Sequence, residues 1–320
     1  MTMSESPILY MVIPCYNEED VLPITCNMFK SQMDRMIAAG QVSDKSKIMF
    51  VNDGSKDKTW EIISDLSNKD DVFCGLSLSR NRGHQNALLA GLMEARSRCD
   101  IAISIDCDGQ DDISVMSEMV DKYNDGVDIV YGVRSSRETD TFFKRFTAQS
   151  FYKVLGKMGV ETVYNHADYR LMSKRALDAF SEFKEVNLFL RGMVPLVGFK
   201  TASVYYERNE RLAGESHYPL KKMIALAING ITSLSIKPIR IITMFGFAVS
   251  LISFVMIIWS LCSFFTGNTV SGWASTMIVI LFMGGVQMLS LGVIGEYVGR
   301  TYLETKHRPC FIIGDKTKNL

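Results

Sequence analysis

The residues with the clearest capacity for chemistry stand together in Ile105-Asp106-Cys107-Asp108-Gly109-Gln110-Asp111. Three carboxylates and an amide this close repel one another unless a cation sits among them. Asp106 and Asp108 are two apart at the end of an apolar run, Ile101 to Ile105, that reads as a buried strand, so their carboxylates can point the same way. With Gln110 they form an all-oxygen set suited to Mg²⁺ or Mn²⁺, ions that also keep water and phosphate ligands. A divalent cation carrying a diphosphate is the occupant this chemistry favours. The alternative use of such acids is helix capping, which suits Asp111 and Asp112 better.

The elements that must position this cluster follow a regular alternation. Apolar runs at Ile8–Ile13, Ile48–Val51, Val72–Leu78, Ile101–Ile105 and Val127–Val133 predict five strands. Helices are expected after Asn17-Glu18-Glu19-Asp20, from about Lys58, over Gly83–Ala95 and over Val115–Tyr123. This order implies an α/β domain with a mainly parallel sheet flanked by helices. In such sheets ligands bind beyond the carboxyl ends of the strands, where the polar clusters after the first, second and fourth strands fall. Asp53, in Val51-Asn52-Asp53-Gly54-Ser55, closes a strand and is placed to accept hydrogen bonds from a base or a ribose hydroxyl, with an Asx turn as its local alternative. No G-x-G-x-x-G follows the first strand and no G-x-x-x-x-G-K-[ST] occurs, which excludes the usual dinucleotide and P-loop fingerprints.

Beyond Thr141 the pattern loosens. Asn165 to Arg170 reads as a polar insertion before a helix at Lys174–Phe180, Phe189–Val197 as apolar packing on the sheet, and Ala202–Tyr206 as a strand. Leu220–Ile236 resembles a helix lying on a membrane surface. No Asp, Glu, Lys or Arg occurs between Arg240 and Glu296. Within that stretch, 241–266 and 273–295 each exceed the roughly 20 residues needed to cross a bilayer. Lys237 and Arg240 on one side, and Arg300, Lys306 and Arg308 on the other, place both flanks in the cytoplasm.

The expected organisation is therefore a cytoplasmic domain over 1–217, an interfacial amphipathic helix over 218–240, a transmembrane hairpin over 241–295 and a cytoplasmic C-terminal tail over 296–320. The chain would be multi-pass in the cell (inner) membrane with both termini cytoplasmic. Its 35 basic and 35 acidic residues imply no nucleic-acid partner. Seven scattered cysteines without a C-x-x-C pair argue against a disulfide framework or zinc site.

Six motifs in order carry a resemblance: Val12-Ile13-Pro14-Cys15-Tyr16-Asn17-Glu18-Glu19, Val51-Asn52-Asp53-Gly54-Ser55, Leu78-Ser79-Arg80-Asn81-Arg82-Gly83-His84, the Asp106/Asp108/Gln110 cluster, Tyr131-Gly132-Val133-Arg134, and Arg211-Leu212-Ala213-Gly214-Glu215-Ser216-His217-Tyr218. Together they resemble the family 2 glycosyltransferases that load a sugar onto a polyprenyl phosphate, bactoprenol glucosyltransferases and dolichol-phosphate mannose synthase among them. The resemblance implies a GT-A type fold with interfacial helices and a two-helix membrane hairpin. It implies a nucleotide site lined by Pro14, Tyr16, Glu18 and Asp53, and metal ligation by Asp106, Asp108 and Gln110. Arg134, Arg145 and Arg211 would bind acceptor or donor phosphates, and Asp168 would stand at the reacting centre as base or orienting group. The expected partners are a UDP-sugar donor, undecaprenyl phosphate, membrane lipid and further copies of the chain. The reaction implied is inverting transfer of one hexose, glucose foremost, with UDP-N-acetylglucosamine or another sugar nucleotide as the alternative donor. A non-catalytic nucleotide-sugar-binding scaffold and a processive synthase are the competing classes. Gly109-Gln110-Asp111-Asp112 stands where the family usually has Leu-Gln-Asp-Pro, which loosens the loop but keeps the ligand types.

Overall fold

The computed structural model describes residues 6–135, 158, 166–209, 231–266 and 272–320. Arg145, Arg211 and most of the expected interfacial helix lie outside the described residues.

Among the described residues, eight strands form one mixed sheet in the order β7-β5-β6-β4-β1-β2-β3-β8. They are β1 (Leu9–Cys15), β2 (Lys47–Asn52), β3 (Phe73–Leu78), β4 (Ile101–Ser104), β5 (Ile129–Arg134), β6 (His166–Ser173), β7 (Thr201–Tyr206) and β8 (Ile313–Lys316). The helices α1 (Leu22–Ala38), α2 (Thr59–Lys69), α3 (His84–Ala95) and α4 (Met116–Asn124) alternate with the first five strands. After β6 come α5 (Lys174–Phe180) and the short α6 (Leu190–Met193).

β1 is buried along its whole length because helices cover both faces. Leu9, Met11 and Ile13 point to one face, where they meet Phe29, Met33 and Met36 of α1 and Met116 and Met119 of α4. Tyr10 and Val12 point to the other, towards Leu88 and Leu92 of α3 and Phe180 of α5. The α3 helix comes unusually close. A Cβ on Gly91 would lie 2.4 Å from Val12 and 2.6 Å from Val51.

The chain winds from β1 through β2 to β3 in one direction, then crosses to β4 on the far side of β1. That reversal is the point at which an open α/β sheet forms its ligand crevice. β1 stays paired with β2 as far as Cys15, but its register with β4 ends at Val12 opposite Ser104. The segments that follow, Pro14 on one side and Asp106 on the other, line the cleft that opens there.

Two strands depart from the expected organisation. Residues 165–170, expected as a polar insertion, largely become β6, which runs antiparallel between β4 and β5. The charges that made it look like a loop, Asp168 and Arg170, are buried and paired with each other. The C-terminal tail also returns to the domain, where β8 pairs antiparallel with β3 at the sheet edge. Lys316 Nζ reaches Glu94 Oε1 at 2.7 Å, and Asn319 Nδ2 donates to the Phe73 carbonyl at 2.6 Å.

Between these parts stand two long apolar helices, α7 (Lys237–Phe265) and α8 (Trp273–Thr305). Lys237–Met256 has a mean hydropathy of 2.1, is long and apolar enough to cross a membrane, and has no residue that is buried within the protein. Phe247, Phe254 and Trp259 on α7, and Phe282, Met288 and Leu291 on α8, are exposed.

Candidate active site

Three post-strand loops build the floor of the cleft. The loop after β1 is fixed to the loop after β2 by side chains that reach backbone amides. Asn17 N donates to Ser55 Oγ (3.0 Å), Lys56 N to Asn17 Oδ1 (3.0 Å), Glu18 N to Thr59 Oγ1 (2.9 Å) and Lys58 N to Glu19 Oε2 (3.0 Å). Asn17 itself adopts a φ of 54°, a conformation Asn tolerates better than most residues. Gly54, at φ +63°, packs against the loop after β3, and a Cβ there would lie 2.5 Å from Arg80 C and Asn81 N. Asp53 completes this frame. Its carboxylate is buried, accepting from Arg82 N at 2.7 Å and Gly83 N at 2.8 Å. Burial raises its pKa against those two amides. The structure thus gives Asp53 the task of holding the turn into α3, each oxygen accepting one backbone N–H.

The cleft itself, about 370 Å³, is lined by Pro14, Glu18, His84, Gln85, Asp106, Cys107, Asp108, Asp168, Phe189 and Arg191. Of the nucleotide residues expected, Pro14 and Glu18 line it, while Tyr16 is a 42% exposed ring on the loop and is not among the lining residues. Asp106, Asp108 and Asp168 are brought together, as expected.

His84, the first residue of α3, stands between two of these acids. Its Nε2 lies 3.5 Å from Asp106 Oδ1 and 3.6 Å from Asp168 Oδ2. Burial works to lower its pKa, but Asp168 and Asp106 outweigh that and push it up to about 9, with screening by solvent at the ring's exposed edge. Asp168 is gripped from two further directions. Arg170 Nη2 donates to its Oδ1 at 2.7 Å, and Arg191 contributes Nε at 3.2 Å to Oδ1 and Nη2 at 3.0 Å to Oδ2. Burial alone would raise the Asp168 carboxyl. The Arg191, His84 and Arg170 charges instead hold it well below the usual carboxylate range.

Asp106 shows the opposite balance. Burial and the neighbouring Asp168, Asp111 and Asp108 charges push its carboxyl up to about 6, against the pull of His84. Its Oδ1 is buried without a hydrogen-bond partner among the described residues. A carboxylate oxygen that faces His84 without a hydrogen bond, in a crowd of acids, fits a divalent cation, which would be held by Asp106 and Asp108. Among the described residues no three acidic, His or Cys side chains form a complete metal cage. Water and phosphate oxygens would supply the rest, as is usual for Mg²⁺.

Gln110 does not join this set. Its amide oxygen accepts from Arg208, while its backbone N donates to Asp108 Oδ1 at 3.2 Å and shapes the loop. The two acids after it divide their tasks. Asp112 caps the turn Ile113–Val115, accepting from Ser114 N at 2.9 Å. Asp111, expected as a cap, is instead buried, accepting from Tyr206 Oη at 2.6 Å and Arg134 Nη2 at 3.1 Å. Arg134 is therefore anchored beside the acidic loop and is not among the residues lining the cleft.

Both basic residues that line the cleft were missed in the sequence. His84 ended a quoted motif without a role, and its position at the start of α3, after Gly83 at φ +87°, was the available signal. Arg191 was absorbed into an apolar run in which it is the sole charge between Leu188 and Val197. That isolation was the clue.

Comparison with known proteins agrees with the geometry. Residues 10–180 match the Glycosyl transferase family 2 model, and residues 237–301 match the GtrB C-terminal hairpin. An uncharacterized glycosyltransferase of Bacillus subtilis (strain 168), YkoT, is 50% identical over 307 residues, covering 96% of this chain and 91% of that protein. A prophage bactoprenol glucosyl transferase homolog of Escherichia coli (strain K12) is 41% identical over 305 residues, covering 95% of this chain and 97% of that protein. The bactoprenol glucosyl transferase of Shigella phage SfV is 40% identical over 305 residues, with the same coverage of both chains. Sheet, crevice and sequence together define the class, a glycosyltransferase of GT-A type. The chain belongs to glycosyl transferase family 2.

Proposed function

We propose that this enzyme transfers a single glucose from UDP-glucose to a polyprenyl phosphate such as undecaprenyl phosphate, with inversion at the anomeric carbon, at the cytoplasmic face of the cell membrane. The observation that carries the reading is the pairing of an unsatisfied acidic site with a cationic array across one cleft, on a domain joined to two apolar helices. The relatives named as bactoprenol glucosyl transferases support the acceptor and the sugar.

Each part has a chemical task in this reaction. Negative charge grows on the departing nucleoside diphosphate as the anomeric bond breaks. A divalent ion held by Asp106 and Asp108 would supply Lewis-acid stabilisation of that charge. The acceptor phosphate has a second pKa of about 6 and is largely ionised at neutral pH, so it needs no strong base. Asp168, held ionised by Arg191, His84 and Arg170, is a weak base. Its role is to fix Arg191 and His84 where they can neutralise two phosphates approaching one another. The hairpin brings the lipid to the domain, with Lys237 and Arg240 before it and Arg300, Lys306 and Arg308 after it on the cytoplasmic side.

The test is purified full-length protein in detergent with undecaprenyl phosphate, Mg²⁺ or Mn²⁺, and UDP-glucose, UDP-N-acetylglucosamine or GDP-mannose. UDP-glucose should give a monoglucosyl lipid of inverted configuration, and chelation should abolish it. Preference for UDP-N-acetylglucosamine would overturn the sugar assignment. No glycolipid from any donor would overturn the reaction.

A further inference from the structure

The segment that carries Arg191 into the cleft is held by the second apolar helix. Just before α6, the backbone amides of Val186 and Asn187 point to Glu304, in the last turn of α8. Val186 N donates to both Glu304 oxygens at 3.0 Å, and Asn187 N to Oε1 at 3.0 Å. The exposure pattern of α8 supports the contact. Residues 301–303 and 305–309 are all exposed, and Glu304 alone among them is turned inward. Two amide N–H groups given to one carboxylate, that of Val186 shared between both oxygens, make charge-assisted bonds stronger than neutral ones. A second grip lies a few residues on, where Leu190 N donates to Gln85 Oε1 at 2.9 Å, beside His84. Residues 186–190 are thus fixed at one end by the apolar helix and at the other by α3, and the next residue is Arg191.

We infer that Glu304 is a positioning residue: by clamping the Val186 and Asn187 amides it sets Arg191 against Asp168 in the cleft. The inference rests on the reading of that cleft as the transfer site. Glu304 makes no hydrogen bond or ion pair to a cleft side chain among the described residues. It acts through the backbone, and it makes the placement of Arg191 depend on how the end of α8 sits relative to the sheet. Small misplacements of a charge-stabilising group are costly in catalysis, about 10²-fold for 1 Å.

The experiment compares full-length wild type, Glu304→Ala, Glu304→Gln and Glu296→Gln in one detergent. Glu296 lies two turns earlier on α8, is itself exposed, and pairs with Arg300 at 2.8 Å. Two quantities are read: amide exchange at residues 186–191, and kcat and KM with UDP-glucose and undecaprenyl phosphate. Glu304→Ala should speed exchange at Val186 and Asn187, leave β1 and β4 protected, and lower kcat by about tenfold or more with KM changed far less. Glu304→Gln keeps an acceptor oxygen and should recover much of the loss, while Glu296→Gln should match wild type. Wild-type exchange at 186–191 in Glu304→Ala overturns the clamp, whatever the activity. Altered exchange with undiminished kcat overturns the positioning role. Loss of protection in β1 and β4 as well would mean that Glu304 serves only global stability, which also overturns it. A wild-type enzyme that makes no glycolipid would instead overturn the proposed reaction, and the exchange measurement would still decide the clamp.

Discussion

Asp106 and Asp168 flank the same imidazole, at 3.5 and 3.6 Å from His84 Nε2, and the fold treats them in opposite ways. Asp168 lies on β6, two residues from Arg170 on the same face of the strand, and Arg191 reaches it from α6. Asp106 follows β4, where its neighbours in space are Asp108, Asp111 and Asp168. One carboxylate has its positive partners built in and is held ionised. The other keeps an oxygen without a hydrogen-bond partner and is pushed towards neutrality. A site that must release one charged ligand and take another needs both kinds. The paired acid fixes geometry, and in the proposed reaction the other acid would take a cation.

The sharpest way to break this contrast is Asp106→Asn. Turnover should fall by about 10²–10³-fold, the scale expected when stabilisation of developing charge is lost. The melting temperature should hold or rise, because a crowded carboxylate has been removed. A melting temperature well below wild type would mean that Asp106 is structural after all.

Asp168→Asn should also damage activity, but its signature is loss of stability. It leaves the fully buried Arg170 guanidinium without its carboxylate, a change that costs about 3–5 kcal/mol when a buried pair is broken from one side. Denaturant unfolding measures this. A variant as stable as wild type would show that the buried pair of Asp168 and Arg170 contributes nothing to stability.

Glu94 supplies a milder version of the same pairing at the rim. Burial would raise its carboxyl, but hydrogen bonds from Lys316 and Arg98 win and hold it lower than usual. A carboxyl whose folded pKa is depressed contributes stability above its unfolded pKa, about 4.3 for Glu, and loses it as pH falls through the folded value. Lys316→Met should therefore cost less than about 1 kcal/mol at neutral pH, as partly exposed pairs do. The gap between wild type and variant should close below about pH 4. A gap that widens in acid would show that the pair contributes nothing through Glu94.

Several of these features were legible before any fold was known. The alternation of apolar runs from Ile8 to Val133 marked β1 to β5, because a strand buried on both faces has little choice but to be continuously apolar. The uncharged stretch 241–295 marked the two long helices by the same logic applied to lipid. Asp106 and Asp108 were legible because adjacent acids at a strand end are costly wherever they fall. β6 was not legible, since its charges cancel only against each other and against Arg191, which is remote in sequence. Nor was the placement of Gln110 with Arg208, 98 residues away, or of Glu304 against Val186, 118 residues away.

The sequence by itself thus determined the local terms: which runs are apolar enough to be strands or long exposed helices, and which residue types crowd together at their ends. Burial of a continuous apolar run is favourable in any sheet, and like charges two residues apart repel in any fold. The tertiary structure alone decided the sign of each carboxylate's environment. That sign depends on which guanidinium, imidazole or amide arrives from elsewhere in the chain. Hence Asp53 became the brace of a turn, and Asp168 became an anion paired on three sides. Asp106, identical in chemistry, was left with an oxygen that faces His84 but accepts no hydrogen bond from a described residue.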